Sequence, residues 1–187
     1  MVRWRVLAAP DIEELRALAE RDATRLYALV DAARDPRIAP AVGAEGEQSR
    51  CLFDGKLHPA LAAAAPYLVA LAPGSAFTPL LMLAGWGRAW GVIVASAWPL
   101  DELRRHFRRF LRVTDASGRA LMFRYYDPRV LRSYLPTCTP RELEIMFGPV
   151  DSFFVEDAAG RVERWRNFGG VLIRGEATTP DAGPRVK

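Results

Sequence analysis

The stretch from residue 90 to residue 126 constrains the fold of this sequence most strongly. Residues 90–97 (WGVIVASA) form an apolar run that is typical of a strand buried on both faces. Residues 100–113 carry apolar side chains at helical spacing, and residues 120–126 return to a strand-like aromatic pattern. A strand, a helix and a strand in this order form a crossover unit, so we predict that the two strands are parallel.

The whole sequence predicts one α/β domain over residues 1–176. A chain of 187 residues, of which 50% are hydrophobic, is long enough for one domain with a real core. Two short strand-like runs around the turn at residues 157–160 predict a C-terminal hairpin. We therefore expect a mixed, partly parallel sheet flanked by helices, with this hairpin at its end and a disordered polar tail at 177–187.

One long stretch without charge raises the question of a membrane segment. No Asp, Glu, Lys or Arg occurs between residues 57 and 87. A membrane-spanning helix needs about 20 apolar residues in succession. Here prolines at positions 59, 66, 73 and 79 interrupt the run, and each of them removes a backbone hydrogen-bond donor. We therefore predict buried elements of a water-soluble core and no membrane insertion.

The cysteines and the start of the sequence bear on the compartment. The two cysteines, Cys51 and Cys138, are far apart and neither belongs to a C-x-x-C pair. This usage favours a reducing environment over a disulfide framework. The first ten residues lack the apolar run of a signal peptide. We expect a cytoplasmic protein.

A cluster of arginines marks the predicted helix at 100–113. Its members are Arg104, Arg105, Arg108, Arg109 and Arg112. The structural interpretation is a solvated face beside a packed apolar stripe, and the functional one is a surface for an acidic protein or for a nucleic-acid backbone. The net charge is only +4 and no nucleic-acid-binding motif is present, so we expect protein partners and no nucleic acid.

The sequence carries no recognisable motif for catalysis, cofactor binding or metal binding. No G-x-S-x-G, phosphate-binding or dinucleotide-binding pattern occurs. The two histidines, His58 and His106, are widely separated, so we expect neither a metal nor a cofactor. Three carboxylates, Asp31, Asp54 and Asp127, lie near predicted strand ends, where α/β active sites often gather. Together with His106 they leave a small hydrolase as the alternative function.

Asp127 also has a structural interpretation. It precedes Pro128, and proline is favoured in the first turn of a helix. The Asp127 carboxylate can then cap that helix, and Arg124 and Arg129 can complete a local ion-pair network. This account does not require catalysis.

A series of segments resembles a known family. In order they are YALVD (27–31), LF (52–53), APYLV (65–69), WG (86–87), the 96–113 segment with HFRR (106–109), FRYYDPRVL (123–131), LPT (135–137) and FGP (147–149). The series resembles the effector adaptor, or chaperone, family of bacterial type VI secretion over residues 26–150. The motif residues for which we expect a structural role are His106, Arg124, Asp127, Pro128, Arg129, Phe147, Gly148 and Pro149.

The resemblance implies a binding protein without catalytic residues. Members of this family bind a toxic effector in the cytoplasm and help to load it onto the VgrG spike. The expected partners are therefore a secreted effector and the spike. The arginine cluster and the aromatic residues between positions 153 and 168 are the candidate contact surfaces, because Arg, Trp and Tyr are enriched at interface hot spots.

Overall fold

The structure, a computed structural model, describes residues 10–115 and 117–176. The predicted tail at 177–187 and the first nine residues of the predicted domain lie outside the described residues. The helices are α1 (Ile12–Arg21), α2 (Ile38–Ala44), α3 (Pro59–Ala62), α4 (Phe77–Leu80), α5 (Leu100–Arg108), α6 (Pro128–Tyr134) and α7 (Pro140–Phe147). The strands are β1 (Arg25–Asp31), β2 (Ser49–Cys51), β3 (Pro66–Ala70), β4 (Gly91–Ser96), β5 (Arg112–Thr114), β6 (Ala120–Met122), β7 (Ser152–Glu156), β8 (Val162–Phe168) and β9 (Val171–Glu176).

The main sheet is antiparallel throughout the described residues. It has seven strands in the order β2-β3-β1-β4-β7-β8-β9, and every neighbouring pair runs antiparallel. The α/β class is confirmed, but the predicted parallel character is wrong. Strand β4 is buried along its whole length, as predicted, yet its neighbours are the antiparallel strands β1 and β7.

The predicted crossover fails because the first strands after α5, β5 and β6, do not join the main sheet. The helix ends at Arg108, and strands β5 and β6 form a separate two-stranded ribbon. All six residues of this ribbon are exposed, so it buries too little to belong to the core. Asp115 stabilises its turn, since Oδ1 accepts hydrogen bonds from the Ser117 and Arg119 amides at 2.9 and 3.0 Å. The strand predicted at 120–126 therefore ends at Met122.

The C-terminal strands continue the main sheet. Strand β7 pairs with β4 on one side and with β8 on the other, and β8 then pairs with β9. The predicted C-terminal hairpin is thus not supported as a separate unit, because a third strand and the pairing with β4 make it part of an antiparallel meander. Strands β2 and β9 are the two edge strands of the described sheet.

Helices cover both faces of the sheet. Side chains alternate along each strand, so that Ala28 and Val30 of β1 face one core while Tyr27 and Leu29 face the other. Apolar residues of α1, α2, α4 and the π-helical turn that follows it (Leu81–Gly85) fill the first core. Helices α5, α6 and α7 fill the second. Two-sided burial is therefore achieved here by antiparallel strands, although it is more usual for parallel ones.

The stretch without charge, residues 57–87, supplies α3, β3, α4 and part of both cores. Within the part of the chain that the structure describes, no helix has both the length and the apolar character that crossing a membrane requires. Cys51 and Cys138 are both free thiols.

A substitution at Gly91 tests how closely the two central strands, β1 and β4, approach each other. A Cβ at this position would lie 2.0 Å from the Leu29 carbonyl oxygen, which the β-ladder cannot move aside. We expect Gly91→Ala to lower the free energy of unfolding by at least about 3 kcal/mol, measured by urea denaturation. Gly43→Ala is the matched control, because a Cβ there meets no atom within 4 Å in helix α2. It should raise stability by about 0.5–1 kcal/mol, and equal effects of the two changes would contradict the packing described.

Candidate functional site

The motif at 123–131 is built around the start of α6. Asp127 is the N-cap, and its Oδ1 accepts a hydrogen bond from the Arg129 amide at 2.9 Å, while Pro128 occupies the first turn. The Arg129 guanidinium binds both carboxylate oxygens, at 2.9 and 2.5 Å. Burial would raise the pKa of Asp127, but the hydrogen bonds from Arg129 outweigh it and the pKa is lowered. The predicted capping role of Asp127 is confirmed.

Asp31 is a second buried carboxylate near this motif. Its Oδ1 accepts a hydrogen bond from the Ala33 amide at 3.0 Å, and its Oδ2 is buried and has no hydrogen-bond partner among the described residues. Arg124 Nη1 lies 3.8 Å from Asp31 Oδ2. The sequence predicted an ion pair of Arg124 with Asp127, whereas in the structure Arg124 pairs with Asp31. Burial raises the pKa of Asp31, and the charge of Asp127 raises it further. Burial, followed by the charge of Asp31, raises the pKa of Tyr126 to about 12.

Asp54 lies beside helix α5 and holds two of the five arginines. Arg108 Nη2 is 2.6 Å from Asp54 Oδ2, and Arg104 Nη2 is 3.6 Å from Oδ1. Arg104 also donates hydrogen bonds to the carbonyl oxygens of Cys51 and Phe53, at 2.7 and 3.2 Å. These contacts fasten the segment after β2 to α5, which is a structural role.

His106 is buried on the other flank of α5, with only 3% of its surface exposed. Nε2 lies 3.0 Å from the Met146 carbonyl oxygen and Nδ1 lies 2.8 Å from Arg109 Nη2. A carbonyl can only accept and a guanidinium can only donate, so Nε2 carries the proton and Nδ1 accepts. Burial first, and then the charge of Arg109, lower the pKa of His106 to about 4. Both ring nitrogens are therefore occupied by internal contacts.

The four residues of the hydrolase alternative do not form one site. Asp31 and Asp127 lie near the start of α6, while Asp54 contacts the flank of α5 that carries Arg104 and Arg108. His106 is two residues from each of these arginines, which places it about 200° around the helix. In the described ranges, no group of three or more His, Cys, Asp or Glu side chains is placed to hold a metal ion.

A groove lies where His106 meets the FGP segment. Its volume is about 330 Å³. The lining residues are Trp98, Glu102, Arg105, His106, Arg109, Gly148 and Pro149. Trp98 is 47% exposed and the Arg105 side chain is 71% exposed, so large side chains are available to a partner. The groove thus brings two of the predicted arginines together with three of the motif residues. Trp98 was not identified from the sequence as a candidate contact residue. The signal that could have identified it is a Trp-Pro pair directly after a predicted buried strand.

A single buried hydroxyl joins the two walls of this groove. Ser96 Oγ, at the end of β4, donates a hydrogen bond to the Pro149 carbonyl oxygen at 2.6 Å and accepts one from the Trp98 amide at 3.0 Å. The Tyr27 hydroxyl donates to the Trp98 carbonyl oxygen at 2.8 Å. The backbone that presents Trp98 is therefore fixed before any partner binds.

Two residues of the FGP segment, Gly148 and Pro149, line the groove. Gly148 has φ +46°, and a Cβ at this position would lie 2.5 Å from His106 Cε1. Both the backbone conformation and the histidine ring therefore favour glycine there. Phe147 packs into the core, with its ring centroid 5.1 Å from that of Phe153. These contacts give a structural reason for the FGP motif.

The other predicted contact residues lie elsewhere. Arg112 is exposed in β5. Three of the aromatic residues between 153 and 168, namely Phe153, Phe154 and Trp165, are fully buried in the cores, which removes them as contact candidates. Phe168, which is 61% exposed at the end of β8, is the exception.

The neutral state of His106 predicts a pH dependence of stability. Its pKa is about 4 in the folded protein and 6.5 ordinarily, so below about pH 6.5 the unfolded chain binds a proton that the folded chain does not. The free energy of unfolding should therefore fall from about pH 6.5 to pH 4, by up to about 1.4 kcal/mol per pH unit from this group. Urea denaturation at several pH values should show this component in the wild type and not in His106→Gln. His58→Gln, at an exposed position, is the matched control. The same curve for the wild type and His106→Gln would contradict the assignment.

The comparisons with known proteins place the chain in a family. A family model described as Domain of unknown function (DUF4123) matches residues 26–144, which is more than half of the chain. No curated protein and no solved structure matches the chain. The matched range contains all of β1 except its first residue, together with β4, α5 and the Asp127 motif, and it ends just before the FGP segment. The chain therefore belongs to the DUF4123 family.

Proposed function

We propose that this protein is a non-catalytic adaptor that binds a secreted type VI effector in the cytoplasm and helps to load it onto the VgrG spike. The resemblance to such adaptors rests on segments between residues 27 and 149, and most of them lie within the range matched by the family model. The proposal thus joins the family of the chain to the role that the resemblance implies.

The observation that carries the proposal is the groove between α5 and the FGP segment. Hydrogen bonds of Ser96 and His106 hold the segments that line it, so little ordering is needed when a partner binds. Trp98 and Arg105 project at its rim, and these residue types contribute most at protein interfaces. A preformed surface of this kind suits protein binding.

The polar motif residues support the non-catalytic part of the proposal. Asp127 is used by the cap of α6 and by Arg129, and His106 is used by the Met146 carbonyl and by Arg109. Each has internal partners that account for its presence in the motif.

The experiment that tests the proposal is affinity purification of the tagged protein from its native cells, followed by mass spectrometry. We expect recovery of a secreted toxin and of a VgrG protein, because an adaptor contacts both. An unrelated tagged protein from the same cells, purified in parallel, is the control. Absence of both partners, in cells shown to express spike and toxin, would refute the proposal.

A further inference from the structure

The five arginines that the sequence places on one helix fall into two groups in the structure. Arg104 and Arg108 both pair with Asp54, whose single negative charge offsets part of theirs. Arg105 and Arg109 lie on the groove side, four residues apart and therefore on one face. The carboxylate near Arg105 is Glu102, at 3.8 Å and with both side chains well exposed, a geometry that is worth little.

Arg109 is held in place without being neutralised. Its Nη2 donates to His106 Nδ1 at 2.8 Å and its guanidinium carbon lies 5.7 Å from the centre of the Phe110 ring. Neither partner carries a negative charge, since His106 is neutral and the Phe110 ring is apolar. Among the described residues no carboxylate contacts Arg109. The positive charge is therefore oriented toward the groove and remains available.

The groove thus combines an available positive charge with an apolar wall. Arg105 and Arg109 supply planar guanidinium groups that match the geometry of a carboxylate. Trp98 and Pro149 supply the apolar part of the lining. Glu102 also lines the groove and leaves the two arginines with a small net positive charge, which matches a single carboxylate of a protein segment better than the run of phosphates of a nucleic acid.

We infer that this groove binds an acidic segment of a protein partner, with a carboxylate on Arg105 and Arg109 and an adjacent apolar side chain against Trp98. The inference rests on the proposed function, because it takes the partner to be a protein. It adds the surface and the chemistry of the segment that is recognised. Arg104 and Arg108 are excluded from direct contact by their internal roles, and Ser96 and His106 act as positioning residues.

The test is selection from a random peptide display library on the immobilised full chain. Selected peptides should be enriched in Asp and Glu next to an apolar residue. A synthetic selected peptide should bind about tenfold or more weakly to the Arg105→Glu, Arg109→Gln double variant, as expected when a close charge pair is lost. Trp98→Ala should also weaken binding. Arg21→Glu, an exposed arginine of α1 outside the groove, is the matched control and should bind as the wild type does.

Several outcomes would overturn the inference. The first is a lack of Asp and Glu enrichment among the selected peptides, and the second is equal binding of the peptide by the double variant and the wild type. The third is displacement of the bound peptide by single-stranded DNA at a lower concentration than unlabelled peptide requires. That result would assign the groove to nucleic acid. Circular dichroism and urea denaturation of each variant show whether it is folded, and the exposed Arg105→Glu change alone serves if the double variant is not.

If toxin and spike co-purify equally with wild type and double variant, the groove assignment fails while the adaptor function stands. If acidic peptides bind but no toxin or spike is recovered, the groove assignment stands while the adaptor function fails.

Discussion

The central antiparallel pair of strands, β1 and β4, is the element on which the rest of the structure depends. Both strands are buried on both faces, so each face needs its own layer of helices. The pair also fixes the two polar regions of the molecule. One end of β1 presents Asp31 near the Asp127 motif, and one end of β4 presents Ser96, from which the groove is built. A change in the register of this pair would displace both regions.

The motif residues are explained by internal geometry more than by chemistry. Asp127 begins a helix, His106 supports a turn, and Gly148 leaves room for the histidine ring. A motif composed of such residues keeps a surface in one shape, which is what a binding protein requires when its partner contacts neighbouring side chains. In this account the groove residues Trp98 and Arg105 make the contacts, and Ser96, His106 and Gly148 hold the segments that carry them.

Local features could be predicted from the sequence, and pairings between distant segments could not. The cap at Asp127 and the buried strand predicted at 90–97, which the structure has at Gly91–Ser96, follow from turn chemistry and periodicity. The predicted strand direction is wrong because it was inferred from the strand-helix-strand order, whereas the second of these segments forms a separate two-stranded ribbon. The division of the arginines depends on which loop lies beside α5, and the groove depends on a hydrogen bond between Ser96 and Pro149 across 53 residues. Periodicity within one segment carries no information about either.

The central claim, that the groove is the surface presented to a protein partner, is tested most directly by hydrogen–deuterium exchange of the chain alone and in complex with a co-purified partner. The account predicts slower exchange in the complex at residues 97–112 and 145–150, which surround the groove. Protection confined to the edge strand β9, or to the groove between α2 and α3, with no change around Trp98, would contradict it.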